Sequence, residues 1–276
     1  MFIRLLKKVR LFKFLNFKFN RYINNVRFVI PIINGIGEGN LYSNEEWKIP
    51  LIDKLTKLKK GIFIDVGVNI GHTLLKLRSV NADYKYIGFE PNVSCVNYLK
   101  QLILVNGLKN IHIIPVALGI KNELLELNYH YGGDEEGASL IPDFRPNQPV
   151  IHKDFVPVFN CDTVGHLFNE PVSIIKVDVE GFELDVIKGL SAVIDKNKPY
   201  IICEILPVYS SENRSRIDRQ DELLKILKQR EYSIFRILNN GSLFQLNEIE
   251  IHSDMSLTYY LFVHKGDTAN LLSAFN

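Results

Sequence analysis

Three acidic residues, Asp65, Glu90 and Asp178, each stand at the end of a short apolar run in the sequence. In an open α/β sheet, the carboxyl ends of the strands form the edge where ligands bind. A carboxylate there can accept hydrogen bonds from ribose hydroxyls, pair with a cation, or take a proton from a reacting hydroxyl. The three positions therefore predict one shared site at such an edge.

The first acid runs into a glycine turn, Asp65-Val66-Gly67-Val68-Asn69-Ile70-Gly71. Its Gly-x-x-x-Gly spacing differs from the Gly-x-Gly-x-x-Gly fingerprint of dinucleotide sites. A turn between a strand and a helix can serve packing alone, or it can bring backbone N–H groups and a helix end to a ligand. S-adenosylmethionine suits this turn, since its ammonium can meet Asp65 and its carboxylate the helix end. We therefore expect Asp65, Gly67, Asn69 and Gly71 around the methionine end of this cofactor.

The second acid, Glu90, follows the second predicted strand. A carboxylate at that place accepts hydrogen bonds from both ribose hydroxyls of an adenosine-containing ligand. The alternative is a solvated strand-end glutamate beside Pro91. We expect Glu90 to bind the ribose, with Val116 and Ala117, after the third predicted strand, near the adenine.

The third acid lies in the most distinctive segment, Lys176-Val177-Asp178-Val179-Glu180-Gly181-Phe182-Glu183. Acidic residues at a helix start favour the helix dipole, which accounts well for Glu183 and partly for Glu180. That explanation suits Asp178 poorly, because Asp178 would sit at the strand tip facing the crevice. We predict Asp178 as the first candidate for the general base and Glu204, at the tip of the next strand, as the second.

Other polar residues receive weaker assignments. His72 and His166 are expected to be structural or solvated, and Asp162 is predicted to cap a helix over 163–168. A stretch at about 120–160 breaks the strand–helix rhythm and is predicted to be a functional loop or lid. Its polar side chains are the predicted contacts of the methyl acceptor: Ser139, Arg145 and His152.

From Gly61 onward, predicted strands alternate with predicted helices over short connections. This pattern is typical of a parallel, doubly wound sheet whose right-handed crossovers place helices on both faces. In that setting Asn92 is expected to cap the helix that follows Glu90. The strand-tip acids would then share one sheet edge.

Taken together, these segments resemble the FkbM family of S-adenosylmethionine-dependent methyltransferases over roughly residues 60–265. The resemblance is carried by the motifs Asp65–Gly71, Glu90-Pro91-Asn92, Ala117-Leu118-Gly119, Asp162, Lys176–Glu183, Cys203-Glu204-Ile205 and Tyr260-Leu261-Phe262-Val263. It implies a class I methyltransferase fold, which is a Rossmann-like, mostly parallel sheet of seven strands with the last strand antiparallel. It also implies O-methylation of a hydroxyl on a sugar, a glycan or a secondary metabolite.

Composition sets the outer limits. The chain has 276 residues with 46% hydrophobic and 23% charged residues, typical of a soluble globular protein. Three cysteines (Cys95, Cys161, Cys203) suit neither a disulfide framework nor a four-cysteine zinc site, so we predict a cytoplasmic protein without a metal. No apolar run reaches 18 residues, so no ordinary membrane-spanning helix is expected.

The N-terminal residues are strongly basic. Eight lysines and arginines precede position 28, and no acid occurs before Glu38. We predict a basic, aromatic extension at 1–45 ahead of a methyltransferase domain at 46–276. Residues 1–28 either touch an anionic membrane surface, which would place the protein at the inner face of a membrane, or pack on the body. Nucleic-acid binding is not expected, because no base-reading element accompanies the charge.

Two other functions stay open at this point. One is a nucleotide-linked oxidoreductase on a similar sheet, which the glycine spacing and Asp65 disfavour. The other is a non-catalytic, membrane-associated binding protein, which the three strand-tip acids disfavour. The sequence names neither the acceptor nor an oligomeric state.

Overall fold

The central sheet of the computed structural model has eight strands among the described residues, which are 16–42, 45–130, 137–141 and 148–275. All strands in chain order are β1 Phe17–Ile23, β2 Val26–Ile32, β3 Ile62–Val66, β4 Tyr86–Phe89, β5 Ile111–Ile114, β6 Ala117–Leu118, β7 Glu123–His130, β8 Val150–Phe159, β9 Val172–Val177, β10 Tyr200–Glu204, β11 Tyr232–Ile237, β12 Leu243–Leu246 and β13 Tyr259–His264. The α-helices are α1 Gly39–Tyr42, α2 Lys48–Leu58, α3 His72–Val80, α4 Val93–Val105, α5 Cys161–Val164, α6 Glu183–Gly189, α7 Ser191–Asn197, α8 Arg214–Gln229 and α9 Thr268–Phe275.

The strand order of the central sheet is β12-β11-β13-β10-β9-β3-β4-β5. Five neighbouring strands, from β10 to β5, run parallel to one another. The last strand, β13, is antiparallel to both β10 and β11. This arrangement confirms the predicted class I methyltransferase fold.

The strand count is a correction, because β12 adds an eighth strand to the seven predicted. It pairs antiparallel with β11 at the edge of the sheet. The connection contains Asn240-Gly241, and Gly241 has a φ of 80°. This dipeptide is a strong hairpin signal. It connects β11 to β12, and β12 is the strand that the prediction did not include.

Helices cover both faces of the sheet, as predicted. Successive residues of a strand point to opposite faces. Accordingly, Ile62, Ile64 and Val66 join a core cluster with helices α6, α7 and α8. Phe63 joins a second cluster with helices α2, α3, α4 and α9. The strand tips between these two layers form the edge at which the predicted acids meet.

Part of the predicted basic extension packs on the body. Strands β1 and β2 form a hairpin through Asn24 and Asn25, whose positive φ values of 48° and 62° suit a tight two-residue turn. Phe28 is buried in the second cluster. The backbone of Val29 exchanges two 2.7 Å hydrogen bonds with the Asn106 side chain. Residues 1–15 lie outside the described part of the chain.

The predicted interruption at about 120–160 contains a small sheet of its own, in the order β6-β8-β7. Strands β7 and β8 pair antiparallel within this stretch, which was predicted to be a loop or lid. The prediction that Asp162 caps the next helix is wrong. Helix α5 begins at Cys161, and Asn160 caps it, because its side chain accepts from Thr163 N at 3.1 Å. The cap precedes the helix by one residue, and Asp162 falls inside it.

Within the described ranges, no helix is both long and apolar enough to cross a bilayer.

Candidate active site

A cavity of about 290 Å³ lies at the carboxyl ends of β3, β4, β9 and β10. Side chains from the loops after these strands line it, together with residues at the start of α2 and β13. The cavity wall contains residues predicted for three different tasks. Gly67 and Asn69 were predicted to bind the methionine end of the cofactor and Glu90 its ribose, and Asp178 and Glu204 were predicted as candidates for the general base. Sheet topology therefore brings together residues up to 137 positions apart in the chain, counting from Gly67 to Glu204.

The glycine turn meets the tip of β9 by direct backbone contact. A Cβ atom added to Gly67 would stand 1.9 Å from the carbonyl oxygen of Asp178, and Gly67 has a φ of 82°. Both facts require glycine. Asn69, at a φ of 54°, adopts the left-handed conformation that asparagine tolerates. Gly71 precedes α3 behind the turn and is not on the cavity wall.

Glu90 is buried at the end of β4 and is held from two sides. Its Oε2 accepts from Asn69 N at 2.7 Å, and its Oε1 accepts from Asn92 N at 2.9 Å. Asn92 also caps α4, as predicted, by accepting from Ser94 N. Burial raises the pKa of Glu90 to about 7 although these N–H groups oppose the change. Each oxygen keeps a second lone pair, so the carboxylate can still receive two hydroxyl donors.

Asp65 is fully buried beneath the cavity rather than on its wall. Its Oδ2 accepts from the Tyr86 hydroxyl at 2.6 Å, and its Oδ1 is 3.2 Å from Lys176 Nζ. Burial raises the pKa of Asp65 and outweighs the nearby lysine charge. The predicted contact between Asp65 and a cofactor ammonium is therefore not one that this position offers directly, and it stays a prediction.

Lys176 joins the buried aspartate to the strand tip. Besides Asp65, its Nζ donates to Gly67 O at 2.7 Å and lies 3.3 Å from Asp178 Oδ2. Burial by itself would lower the pKa of Lys176, but the carboxylates of Asp178 and Asp65 outweigh burial and raise it. The lysine therefore remains charged in the interior, where it ties the glycine turn to Asp178.

Asp178 and Glu204 form a carboxyl pair in the cavity. Burial would raise the pKa of Asp178, but the charges of Lys176 and Lys48 and a hydrogen bond from Glu204 hold it below its ordinary value. Burial and then the charge of Asp178 raise the pKa of Glu204 well above its ordinary value. Asp178 is therefore the more acidic member of the pair and is ionised near neutral pH, whereas Glu204 holds a proton more readily.

Residues at the start of α2 and at the start of β13 also line the cavity. Lys48 Nζ donates to the Tyr259 hydroxyl at 3.2 Å, and that hydroxyl donates to Asp178 Oδ2 at 3.0 Å. Glu45 holds two lysines, Lys48 at 2.5 Å and Lys76 at 3.0 Å. This network spans three separate parts of the sequence and points at one carboxylate.

His72 also lines the cavity. Burial and the charge of Lys76 lower its pKa to about 4, so the imidazole is neutral near pH 7. Its Nε2 is buried and has no hydrogen-bond partner among the described residues. Both His72 and His166 were expected to be structural or solvated. His166 is on the surface, where its Nδ1 bonds to Thr163 O at 3.0 Å, whereas His72 is half-buried on the cavity wall.

Part of the cavity wall is apolar. This part is formed by side chains from β4, the β6 region, the small sheet and the α6 start: Phe89, Ala117, Leu118, Leu127, Leu140 and Phe182. Ala117 therefore lines the cavity, and its contact with an adenine stays a prediction. Val116 is buried in the adjoining core and does not line the cavity.

Of the predicted acceptor contacts, Ser139 and His152 are not on the cavity wall. Ser139 is buried and donates to Glu180 O at 2.7 Å, which supports the loop after β9 from behind. His152 lies on β8 with 63% of its side chain exposed, 3.0 Å from Asp154. Arg145 lies outside the described residues. Acceptor binding by these three residues stays a prediction.

The sequence reading missed Lys48, Glu45 and Tyr259, and it gave no role to Lys176. One signal was present for Lys176, because a lysine inside the apolar run 174–177 requires a carboxylate partner if that run is a buried strand. Nothing local marks the other three, since their partners lie far away in the chain. In the described part of the chain, no group of three or more His, Cys, Asp or Glu side chains is arranged to hold a metal ion.

Comparison with known proteins now identifies the family. The sequence model of the methyltransferase FkbM domain matches residues 65–234, which is more than half of the chain. The chain belongs to the FkbM methyltransferase family. Among curated proteins, none matches it significantly. Lys48 and Tyr259 lie outside the matched FkbM region, on either side of it.

Three of the solved structures similar to this FkbM family member are described as methyltransferases. The FkbM methyltransferase from Methylobacillus flagellatus KT is 18% identical with a TM-score of 0.46; the match covers 74% of this chain and 43% of that protein. This chain thus spans less than half of that relative. A putative O-methyltransferase from Klebsiella pneumoniae is 9% identical with a TM-score of 0.46, covering 83% and 84%. A putative methyltransferase from Streptococcus mutans, in complex with SAH, is 10% identical with a TM-score of 0.43, covering 77% and 93%.

Proposed function

We propose that this FkbM-family protein is an S-adenosylmethionine-dependent methyltransferase that O-methylates a hydroxyl of a sugar, a glycan or a secondary metabolite. The observation that carries the proposal is the shared cavity, which holds Glu90 at one strand tip and the ionised Asp178 at another. The first suits a ribose, and the second suits a hydroxyl that must lose its proton.

The residues of the cavity fit the cofactor. Glu90 has two lone pairs left for the ribose hydroxyls, and the apolar walls around Phe89 and Leu118 suit an adenine ring. The turn at Gly67 and Asn69 would face the methionine portion. Bound there, S-adenosylmethionine would supply an electrophilic methyl group on a sulfonium.

The protein's own contribution is alignment and proton acceptance. Displacement at a methyl carbon requires the nucleophile opposite the leaving sulfur, so the cavity must hold the acceptor hydroxyl in line. With the cofactor held at Glu90 and the Gly67–Asn69 turn, its sulfonium would supply the methyl group and would leave as a neutral thioether, while the Asp178 carboxylate would take the proton of the acceptor hydroxyl. Glu204, whose pKa is raised by burial and by Asp178, would hydrogen-bond to Asp178 and keep it oriented.

Glu90→Gln is expected to weaken S-adenosylmethionine binding by about 1–3 kcal/mol, because the amide keeps the shape of the side chain and loses the charge that receives the ribose hydroxyls. The pKa of about 7 also predicts a pH dependence in the unchanged protein. Affinity should fall as pH drops through 7, where Glu90 gains a proton, and Glu90→Gln should flatten this profile. Calorimetry between pH 6 and 8 measures both effects.

A matched control is Glu222→Gln, which changes a surface glutamate paired with Lys188 at 2.6 Å. Its affinity for S-adenosylmethionine should equal that of the unchanged protein. If Glu90→Gln bound the cofactor normally while folded, Glu90 would not be the ribose ligand. Binding of a nicotinamide dinucleotide in place of S-adenosylmethionine would instead favour the oxidoreductase.

We also propose that the basic extension rests on an anionic membrane surface and keeps the enzyme at the inner face of a membrane in the cytoplasm. Five basic residues lie ahead of the packed hairpin: Arg4, Lys7, Lys8, Arg10 and Lys13. Each basic residue near an anionic surface contributes about 1 kcal/mol to binding. The hairpin adds Lys18, Arg27 and the exposed Tyr22.

Deleting residues 1–15 is expected to lower binding to phosphatidylserine-containing vesicles by more than about tenfold at low salt, with the difference shrinking as salt screens the charges. The deletion stops before β1, since β1 and β2 contribute to the folded body. Vesicle sedimentation measures the effect, and neutral phosphatidylcholine vesicles serve as the control. Equal binding by both proteins would exclude a membrane role for these residues.

A further inference from the structure

The FkbM-matched region does not contain the whole neighbourhood of Asp178. Lys48 comes from the start of α2 and Tyr259 from the start of β13, and both line the cavity. The hydrogen bonds between them run in one direction, from Lys48 Nζ to the Tyr259 hydroxyl at 3.2 Å and from that hydroxyl to Asp178 Oδ2 at 3.0 Å. A tyrosine hydroxyl that accepts from an ammonium has its own proton free to donate onward.

The tyrosine is held in place by packing as well as by hydrogen bonds. Its ring centroid is 4.8 Å from that of Trp47, and Lys48 Nζ lies 4.4 Å from the same Tyr259 centroid. The Lys48 side chain is itself only 4% exposed and is fixed by Glu45. Both groups are therefore preorganised, so that little freedom is lost when Tyr259 bonds to Asp178.

We propose that Lys48 and Tyr259 are positioning residues for Asp178. The Tyr259 hydroxyl and Lys176 both contact Oδ2, which fixes the rotation of the carboxylate and keeps its charge. The other oxygen, Oδ1, is thereby left for Glu204 and for the acceptor hydroxyl. This role rests on the proposed function of Asp178 as the proton acceptor. It assigns the orientation and the charge of the Asp178 carboxylate to two residues outside the matched FkbM region.

The charges around Asp178 decide how strong this control is. Lys176 acts from its own strand, Glu204 from β10, and Lys48 from α2, whereas Glu45 opposes them with a negative charge. Tyr259 carries no charge, because burial and the nearby carboxylates raise its pKa well above its ordinary value. Its hydroxyl therefore stabilises the ionised Asp178 as a neutral donor, and its removal weakens that ionised form.

The test is a titration of Asp178 in protein labelled with ¹³C at the aspartate carboxyl carbons, with the Asp178 signal assigned by its loss in Asp178→Asn. Tyr259→Phe should raise the pKa of Asp178 by about 1–2, which is what loss of one hydrogen bond to a charged acceptor produces. Lys48→Met should raise it by about 1 or more, because both a positive charge and the tyrosine's partner are removed. Because Asp178 and Glu204 titrate together, the series is repeated with Glu204→Gln.

Two variants serve as controls. Lys57→Met changes an exposed lysine of the same helix, and Tyr232→Phe removes a buried hydroxyl that donates to Pro199 O at 3.1 Å. Both should leave the Asp178 titration unchanged.

If Tyr259→Phe fails to fold, Lys48→Met decides alone. An unchanged pKa of Asp178 in the folded variants would overturn the inference, whatever the cofactor measurements show, because the titration needs neither cofactor nor acceptor. Conversely, absence of S-adenosylmethionine binding would overturn the proposed function and leave the titration result standing.

Discussion

Replacing Asp178 with asparagine is expected to lower turnover by about 10²–10⁴-fold, the range typical of acid–base assistance. Asparagine keeps the shape of the side chain, and its carbonyl oxygen can still receive the Tyr259 hydroxyl. It lacks a group that can take the acceptor's proton at neutral pH. S-adenosylmethionine affinity should change less than turnover, because the loss falls mainly on the transition state.

The measurement is release of the demethylated cofactor with an acceptor found by screening hydroxyl compounds, alongside calorimetry of cofactor binding. Asp195→Asn is the control, because Asp195 is 51% exposed, pairs with Arg230 and does not line the cavity. An affinity loss as large as the loss in rate would make Asp178 a cofactor-positioning residue. Near-normal turnover of a folded Asp178→Asn protein would leave Glu204 as the leading candidate for the base.

Replacing Lys176 with methionine is expected to lower the free energy of unfolding by about 3–5 kcal/mol, because it leaves buried carboxylates without their cation. Lys176 is 3.2 Å from the fully buried Asp65 and 3.3 Å from Asp178. Burial already raises the pKa of Asp65, and removing the lysine raises it further. Asp65 then folds in its protonated form, so the stability of Lys176→Met should be greatest at low pH and fall as pH rises through the folded pKa.

Urea unfolding between pH 5 and 8 measures both the loss and its pH dependence. The control is Lys188→Met, which breaks an ion pair with Glu222 whose side chains are 31% and 48% exposed, and which should cost less than about 1 kcal/mol. Adding Asp65→Asn to Lys176→Met should restore part of the stability and remove most of the pH dependence. A Lys176→Met protein as stable as the control would mean that the buried carboxyls need no cation.

The fold was predictable because its signals are local. Strand–helix alternation and short connections specify a doubly wound sheet, and Asn92 shows its capping role within three residues. The strand-tip positions of Glu90 and Asp178 follow from the same pattern, since parallel strands share one ligand-binding edge. Each of these features therefore follows from residues that are close together in the sequence.

The rest of the site depends on long-range contacts that no local pattern records. Lys48 meets Tyr259 across 211 positions of sequence, and Tyr259 meets Asp178 across 81. The basic extension at 1–45 was predicted to touch a membrane or to pack on the body. Lys48 follows this extension by three positions, but its side chain lines the cavity. Asp65 shows the opposite case: its type and spacing suit a ligand, but the Tyr86 hydroxyl and Lys176 occupy it.

The close approach of Gly67 to the tip of β9 couples the cofactor end of the cavity to the acceptor end. With Asp178 N donating to Val66 O at 3.1 Å and Lys176 donating to Gly67 O at 2.7 Å, the two loops touch through their backbones and cannot shift independently. A cofactor that immobilises the glycine turn therefore also immobilises the strand tip against which the acceptor must align. Each ligand should then tighten the binding of the other by the same factor.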